Sequence, residues 1–274
     1  MIKTSSSKSN LQEDLIRAQL INSKLHGTID LRLCDSIGST SDFVMSNAVS
    51  SSNDYLVCVA NHQTEGRGRN GRQWHSPANS NIYMSVGYQL SGECASSLGG
   101  LSLACGVSIA KVVSQLGVQP QLKWPNDILV SGRKLAGILV ETRIKGREII
   151  VVIGLGLNVA MPDITEDLID QPWTDLRSNI FDTSVELDKN RLVAKLIMSL
   201  VSACNVFNQE GIKPFLKDWS KYDVLKGQDV WVQANGGEEC ARVIGLNEDC
   251  SLRVDVAGYE KSIYAADVKI KLKK

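Results

Sequence analysis

The sequence predicts an α+β fold: a central mixed or antiparallel sheet flanked by helices, followed by a small separate antiparallel barrel. Three observations predict it. Strand-length apolar runs recur at residues 55–60, 82–88, 128–130, 135–140 and 148–159. Two long stretches, 98–116 and 192–207, carry apolar residues at helical spacing. From about Tyr222 the pattern changes to short strands punctuated by Asn235-Gly236-Gly237, Asn247-Glu248-Asp249 and Ala257-Gly258. The expected organisation is therefore a tail and single helix over residues 1–27, a main domain over 28–221 and a C-terminal domain over 222–274.

In chain order, residues 1–9 are polar and expected to be disordered, and Asn10 with Glu13 forms a capping-box pattern for a helix ending near Gly27. A short strand at 29–33 leads to Asp35-Ser36-Ile37-Gly38-Ser39-Thr40-Ser41, where Ser39 or Thr40 can cap the next helix. The strand at 55–60 runs into a loop, and the strand at 82–88 leaves it. After the buried helix at 98–116, stopped by Gly117, comes a hairpin signal at Ser131-Gly132 between two β-prone runs. Asp188 can cap the helix at 192–207, which Gly211 ends, and a short helix follows at 214–219.

With 274 residues the chain is long enough for one large domain and one small one. Thirty basic residues balance thirty acidic ones, which argues against a chain whose main business is holding nucleic acid. Seven cysteines, odd in number and without a CxxC pair, read as reduced thiols. No uninterrupted apolar run reaches the ~18 residues of a membrane span, and the start has no signal-peptide core, so a cytoplasmic protein without a membrane partner is expected.

The stretch from Gln63 to Val86 carries the chemistry. In Gly66-Arg67-Gly68-Arg69-Asn70-Gly71-Arg72-Gln73-Trp74 the glycines allow close approach to a ligand, and the arginines offer forked donors that match phosphate or carboxylate. By itself the segment is also readable as an exposed basic hairpin or an Arg/Gly contact to nucleic acid. It lacks both the Gly-Lys-Ser/Thr ending of a P-loop and the strand-to-helix setting of a dinucleotide fingerprint. Two further clusters narrow the choice. Lys123-Trp124-Pro125-Asn126-Asp127 lies at a sheet edge, where Asn126 can bond a ligand and Asp127 can hold Mg²⁺ or take a proton; its plainer reading is a proline turn with a solvated ion pair. Lys134 stands at a strand mouth before Ala136-Gly137, and Gly154, Gly156 and Asn158 mark another close approach of backbone to ligand. Three arginines, two lysines and one carboxylate around glycine-lined strands suit displacement at phosphorus. The three histidines, at 26, 62 and 75, suggest neither a nucleophile triad nor a metal site.

The motifs GRGRNGRQWHSPANSNIYMSV, KWPNDILV, RKLAGILVE and GLGLNVAM, in this order and spacing, closely resemble biotin protein ligases, also called biotin–[acetyl-CoA carboxylase] ligases. The similarity runs from about Asn22 to the C-terminus. Lipoate ligases share the fold but not the GRGRxGR loop. The resemblance implies a class II synthetase-like ligase domain with an SH3-like C-terminal barrel. It also implies a two-step reaction: ATP and biotin, with Mg²⁺, give biotinyl-5′-AMP, and a lysine of a biotin carboxyl carrier protein then accepts the biotin. By motif, Ser39, Thr40, Ser41 and Gln63 would bind the ureido ring. Arg67, Gly68, Arg69, Lys134 and Gly137 would line the rest of the biotin site. Arg67, Arg69, Arg72, Trp74, Asn126, Lys134, Asn158 and Trp173 would line the adenylate site, with residues 161–173 as a lid. Lys134, Arg69, Asp127 and Lys123 would be catalytic, with Asp127 as the Mg²⁺ ligand. Ser41 stands where relatives carry Asn, and Asn70 where some carry Arg. About thirty residues precede the first strand, fewer than the winged helix-turn-helix of the operon-repressing relatives, so no DNA binding is expected. An edge strand is open to pairing with the carrier or, in a homodimer, with a second copy.

Overall fold

A computed structural model describes residues 11–21, 28–48, 53–91, 98–145, 148–162, 169, 171–182, 184–234, 237–265 and 269–273. The expectations for residues 1–9, Asn10, Gly27, Asn235-Gly236 and the middle of the 161–173 lid lie outside the described residues. The described elements are α1 (Glu13–Ile21), β1 (Ile29–Cys34), α2 (Thr40–Asn47), β2 (Tyr55–Ala60), β3 (Ile82–Ser91), α3 (Leu101–Ser114), β4 (Gln121–Lys123), β5 (Asp127–Val130), β6 (Arg133–Lys145), β7 (Glu148–Leu157), α4 (Lys189–Glu210), α5 (Lys213–Tyr222), β8 (Asp229–Ala234), β9 (Gly237–Leu246), β10 (Leu252–Val256), β11 (Tyr259–Ile263) and β12 (Lys269–Leu272).

Seven strands form one mixed sheet in the order β1-β2-β3-β7-β6-β5-β4. Only β1 and β2 run parallel, because α2 carries the chain back between them; every other neighbour is antiparallel. The β5–β6 hairpin turns at Ser131 (φ 50°) and Gly132 (φ 74°), both in the left-handed conformation that a two-residue turn of this hand requires. The last five strands make a second, antiparallel sheet in the order β11-β10-β9-β8-β12.

Alternation along the strands separates two faces. Tyr55, Val57 and Val59 of β2 and Val151, Ile153 and Leu155 of β7 point to the main core with α3 and α4. α4 is long and apolar enough to cross a membrane by length and composition alone. Leu192, Leu196, Leu200 and Phe207 nevertheless seat it in that core. On the other face, Leu56, Cys58, Ile150 and Val152 pack under Val44, Met45 and Ala48 of α2. Ser39 caps α2, its side chain accepting from Asp42 N at 3.3 Å, and Asp188 caps α4 in the same way.

The α2 face continues, strand by strand, into small and polar residues. Register places Cys58, Ser85, Gly154 and Leu139 at one level, and Ala60, Tyr83, Gly156, Gly137 and Asp127 at the next. Glycines at 137, 154 and 156 therefore leave a trough over β6 and β7 just beyond α2.

Candidate active site

Four layers build the site on this trough. The innermost is a buried hydroxyl cluster at the start of α2. Thr40 Oγ1 lies 2.8 Å and Ser41 Oγ 3.0 Å from Ser85 Oγ of β3. Both Thr40 N and Thr40 Oγ1 donate to Gln63 Oε1, at 2.9 and 3.0 Å. Gln63 Nε2 in turn donates to Ser76 Oγ at 3.3 Å. Thr40, Ser41 and Gln63 are thus brought together as expected, whereas the Ser39 hydroxyl serves to cap α2, and Ser85 and Ser76 were not foreseen. Ser85 reads in sequence as one more position of an alternating strand, and only the register opposite Gly154 gives it meaning.

The 66–74 loop forms the second layer, folding back on itself as a small ladder. Trp74 N donates to Gly66 O at 2.8 Å and Gly68 N to Arg72 O at 2.7 Å. A side chain at Gly66 would press on Trp74 O (2.7 Å) and Ser76 Oγ (2.8 Å), so glycine is required there for close approach. Asn70 (φ 56°) and Gly71 (φ 69°) make its left-handed tip. Trp74 lays its indole along the trough: an added Cβ at Gly156 would stand 2.6 Å from Nε1, and one at Gly137 3.1 Å from the ring edge.

The expected convergence of three arginines requires correction. Arg67 turns to Asp42, which it grips through both guanidinium nitrogens, and to Glu141 at 3.5 Å. The pair holds the Asp42 carboxyl below its usual range. Arg72 is exposed. Arg69 alone enters the site, half-buried beside Asn126 Oδ1 (3.5 Å) and donating to the main-chain carbonyl of Ala265 beyond β11. Burial lowers its affinity for protons, and nearby Asp127 partly restores it. Arg67 and Arg69 part because the chain leaves the extended ladder at Arg69, where the 69–71 turn begins, and because two carboxylates, Asp42 and Glu141, hold Arg67.

The third layer is Lys134 with Asp127. Simple alternation would send Lys134 into the core, since Ala136 and Ile138 of the same parity are buried there. A bulge at Leu135 prevents this: Ile128 pairs with Ala136 but Leu129 with Lys134, so Leu135 enters the core and Lys134 is re-aimed toward the trough. Its Nζ lies 2.7 Å from Asp127 Oδ1, with side chains 15% and 20% exposed, and 5.3 Å from the Trp74 ring centre. Lys123 pairs opposite Asp127 in the β4–β5 ladder. Trp124 hydrogen-bonds Cys250 O at 3.0 Å, fastening this hairpin to the second sheet.

The outer layer is main chain. Residues 172–174 run beside the start of β6, with Lys134 N donating to Pro172 O and Thr174 N to Lys134 O, both at 2.9 Å, and Trp173 bridged to Lys134. Asn158 is a tie: its Nδ2 donates to Thr174 O (3.0 Å) and Lys134 O (3.4 Å). Asn126 likewise donates to Ile138 O at 2.8 Å. As a magnesium site the expected residue does not fit, because Asp127 is paired with Lys134 and, among the described residues, no group of three potential ligands gathers. Phosphate-bound magnesium needs little from the protein.

A hydroxyl cluster, a glycine-floored trough covered by the Trp74 indole and a cationic end thus lie side by side. Comparison with known proteins names the class. Residues 33–158 match the biotin/lipoate A/B protein ligase family. The chain is 34% identical over 269 residues to a biotin–[acetyl-CoA-carboxylase] ligase of Mycobacterium tuberculosis, covering 94% of this chain and 95% of that one. It is 42% identical over 188 residues to the bifunctional ligase/repressor BirA of Salmonella typhimurium, covering 64% of this chain but only 57% of that protein's length. In fold it resembles the Aquifex aeolicus biotin protein ligase solved with biotin and ATP, with a TM-score of 0.75 and 24% identity, covering 89% of this chain and 99% of that one. The chain belongs to the biotin/lipoate A/B protein ligase family.

Proposed function

We propose that this chain is an ATP-dependent biotin protein ligase. A biotin carboxylate oxygen attacks the α-phosphorus of ATP, the bond to the bridging oxygen breaks, and pyrophosphate leaves; a lysine amine of an acceptor domain then attacks the acyl carbon, loses a proton and displaces AMP. The acceptor is a biotin carboxyl carrier protein of the acetyl-CoA carboxylase type. The observation that carries the reading is the bulge that turns Lys134 onto the trough beside Gly137 and Trp74. In that place its ammonium offsets the repulsion between carboxylate and phosphate. Arg69 takes the acyl-phosphate oxygens, the Ser39–Ser41 segment with Gln63 takes the ureido ring, and Trp74 covers the valeryl chain. Trp173 and Arg72 belong to the nucleotide side, Asp127 steadies Lys134 and receives the amine's proton, and Lys123 adds positive charge at the rim. We read residues 28–221 as the catalytic unit and the C-terminal sheet as an SH3-like barrel. Incubation with biotin, Mg-ATP and an isolated biotin-accepting domain should raise the acceptor's intact mass by one biotinyl group; a rise with lipoate instead would replace the reading.

A further inference from the structure

A hydroxyl carries one proton, so a chain of hydroxyls anchored on a group that can only accept has a fixed direction. The anchor here is Gln63. The main-chain N–H of Thr40 can only donate, and it reaches Gln63 Oε1 at 2.9 Å, which sets the amide with its oxygen toward α2. The opposite end agrees: Gln63 Nε2 donates to Ser76 Oγ at 3.3 Å, and the Ser76 proton goes to the Trp74 carbonyl at 3.1 Å. Thr40 Oγ1 is 3.0 Å from the same Gln63 oxygen and must donate to it. With that proton committed, Thr40 Oγ1 can only accept from Ser85 Oγ, 2.8 Å away. Ser85, committed in turn, can only accept from Ser41 Oγ at 3.0 Å. The proton order is Ser41 to Ser85 to Thr40 to Gln63. Ser85 is fully buried and the other hydroxyls nearly so, leaving no bulk water to scramble it.

We propose that Ser85 is a positioning residue that fixes this order, so that Ser41 Oγ meets the bound ring as a hydrogen-bond acceptor and selects a ring N–H over a ring oxygen. Glycine at 154 lets Ser41 Oγ rest directly against β7, where an added Cβ would stand 2.8 Å from it and displace it. The inference rests on the biotin reading, since a cyclic urea offers two such N–H groups. It also gives Ser41 a defined task through Ser85.

The test is calorimetric titration of the full chain with biotin and with the two cyclic carbamates in which one or the other urea N–H is replaced by oxygen. The wild-type chain should prefer biotin over the carbamate lacking the facing N–H by about a hundredfold, the scale of a buried acceptor left facing an acceptor. Ser85→Ala frees the Ser41 proton to turn toward the ring, and the preference should fall about tenfold, with nucleotide affinity unchanged. A merely structural Ser85 would weaken biotin and carbamate alike, and that result overturns the proposal. Should Ser85→Ala not fold, Ser41→Ala removes the acceptor with Ser85 intact and must erase the same preference; a preference left whole overturns the proposal. A wild-type chain that binds no biotin overturns the biotin reading and, with it, the inference.

Discussion

A methyl group at Gly156 tests the trough most directly. Its Cβ would stand 2.5 Å from Trp74 Cζ2 and 2.6 Å from Nε1. Carbon atoms rest about 3.5 Å apart, so the indole must retreat by about 1 Å. The ring is the far end of a side chain on the 66–74 ladder, so it moves and the sheet does not. Stability should fall by about 1–3 kcal/mol, the usual cost of overpacking, or a few degrees of melting temperature for a chain of this size. The reaction suffers more, because a wall displaced by about 1 Å can cost on the order of a hundredfold. Gly137→Ala is the graded comparison for KM alone: its Cβ would lie 3.1 Å from the same ring, needing a retreat of only about 0.4 Å, and 3.2 Å from Lys134 Cε, so its kcat also reports on the lysine. Initial rates of pyrophosphate release across biotin concentrations should show KM for biotin rising about tenfold or more in Gly156→Ala and clearly less in Gly137→Ala. A smaller ring, Trp74→Phe, should recover part of the loss in the Gly156→Ala background. Wild-type KM in Gly156→Ala, or a larger effect at Gly137 than at Gly156, would refute the trough.

Three further outcomes are expected. Lys134→Met should slow adenylation by about 10²–10³-fold, the scale for losing one preorganised charge donor, with Asp127→Asn milder because the cation stays; unchanged single-turnover adenylation in Lys134→Met would exclude the assigned role. Lys189 is buried, donates to the Asn79 carbonyl at 3.3 Å, and has its pKa pushed down to about 8 by burial. A lysine lowered from 10.5 burdens the fold when protonated, by about 3 kcal/mol at 1.36 kcal/mol per tenfold. Stability should therefore rise between about pH 8 and 10.5, and Lys189→Met should stabilise at neutral pH with the gain fading across that window, as denaturant melts would read. Asp218, held at about 2 by Lys111 and Lys221, contributes stability that is present above the ordinary carboxylate range and lost as pH falls toward about 2; Asp218→Asn should flatten that limb of the acid melt, and salt should shrink the difference.

Local chemistry was legible in the sequence, and long-range placement was not. Ser131-Gly132 announced the β5–β6 hairpin, Ser39 and Asp188 announced their helices, and the change of pattern after Tyr222 announced the second sheet. The glycines at 66, 137, 154 and 156 pointed to close backbone approach, which Trp74 and Ser41 now explain. The partners of Arg67 could not be foreseen, because Asp42 and Glu141 come from a helix and a strand brought together only by sheet order. The bulge at Leu135 left no mark either: a strand with an extra residue and one without it read alike until the facing strand is known. Ser85 was hidden for the same reason.

Lys134 is held at its root by main-chain bonds and at its tip by one ion pair with Asp127. Its main chain is laced to Pro172 and Thr174, and Asn158, just past β7, donates to the carbonyls of Lys134 and Thr174. The ammonium can swing between Asp127 and an incoming anion while its α-carbon stays put, so its aim is settled once, during folding, and not afresh at each turnover. Any ligand that tugs on the 172–174 strip will be felt at the lysine's own backbone.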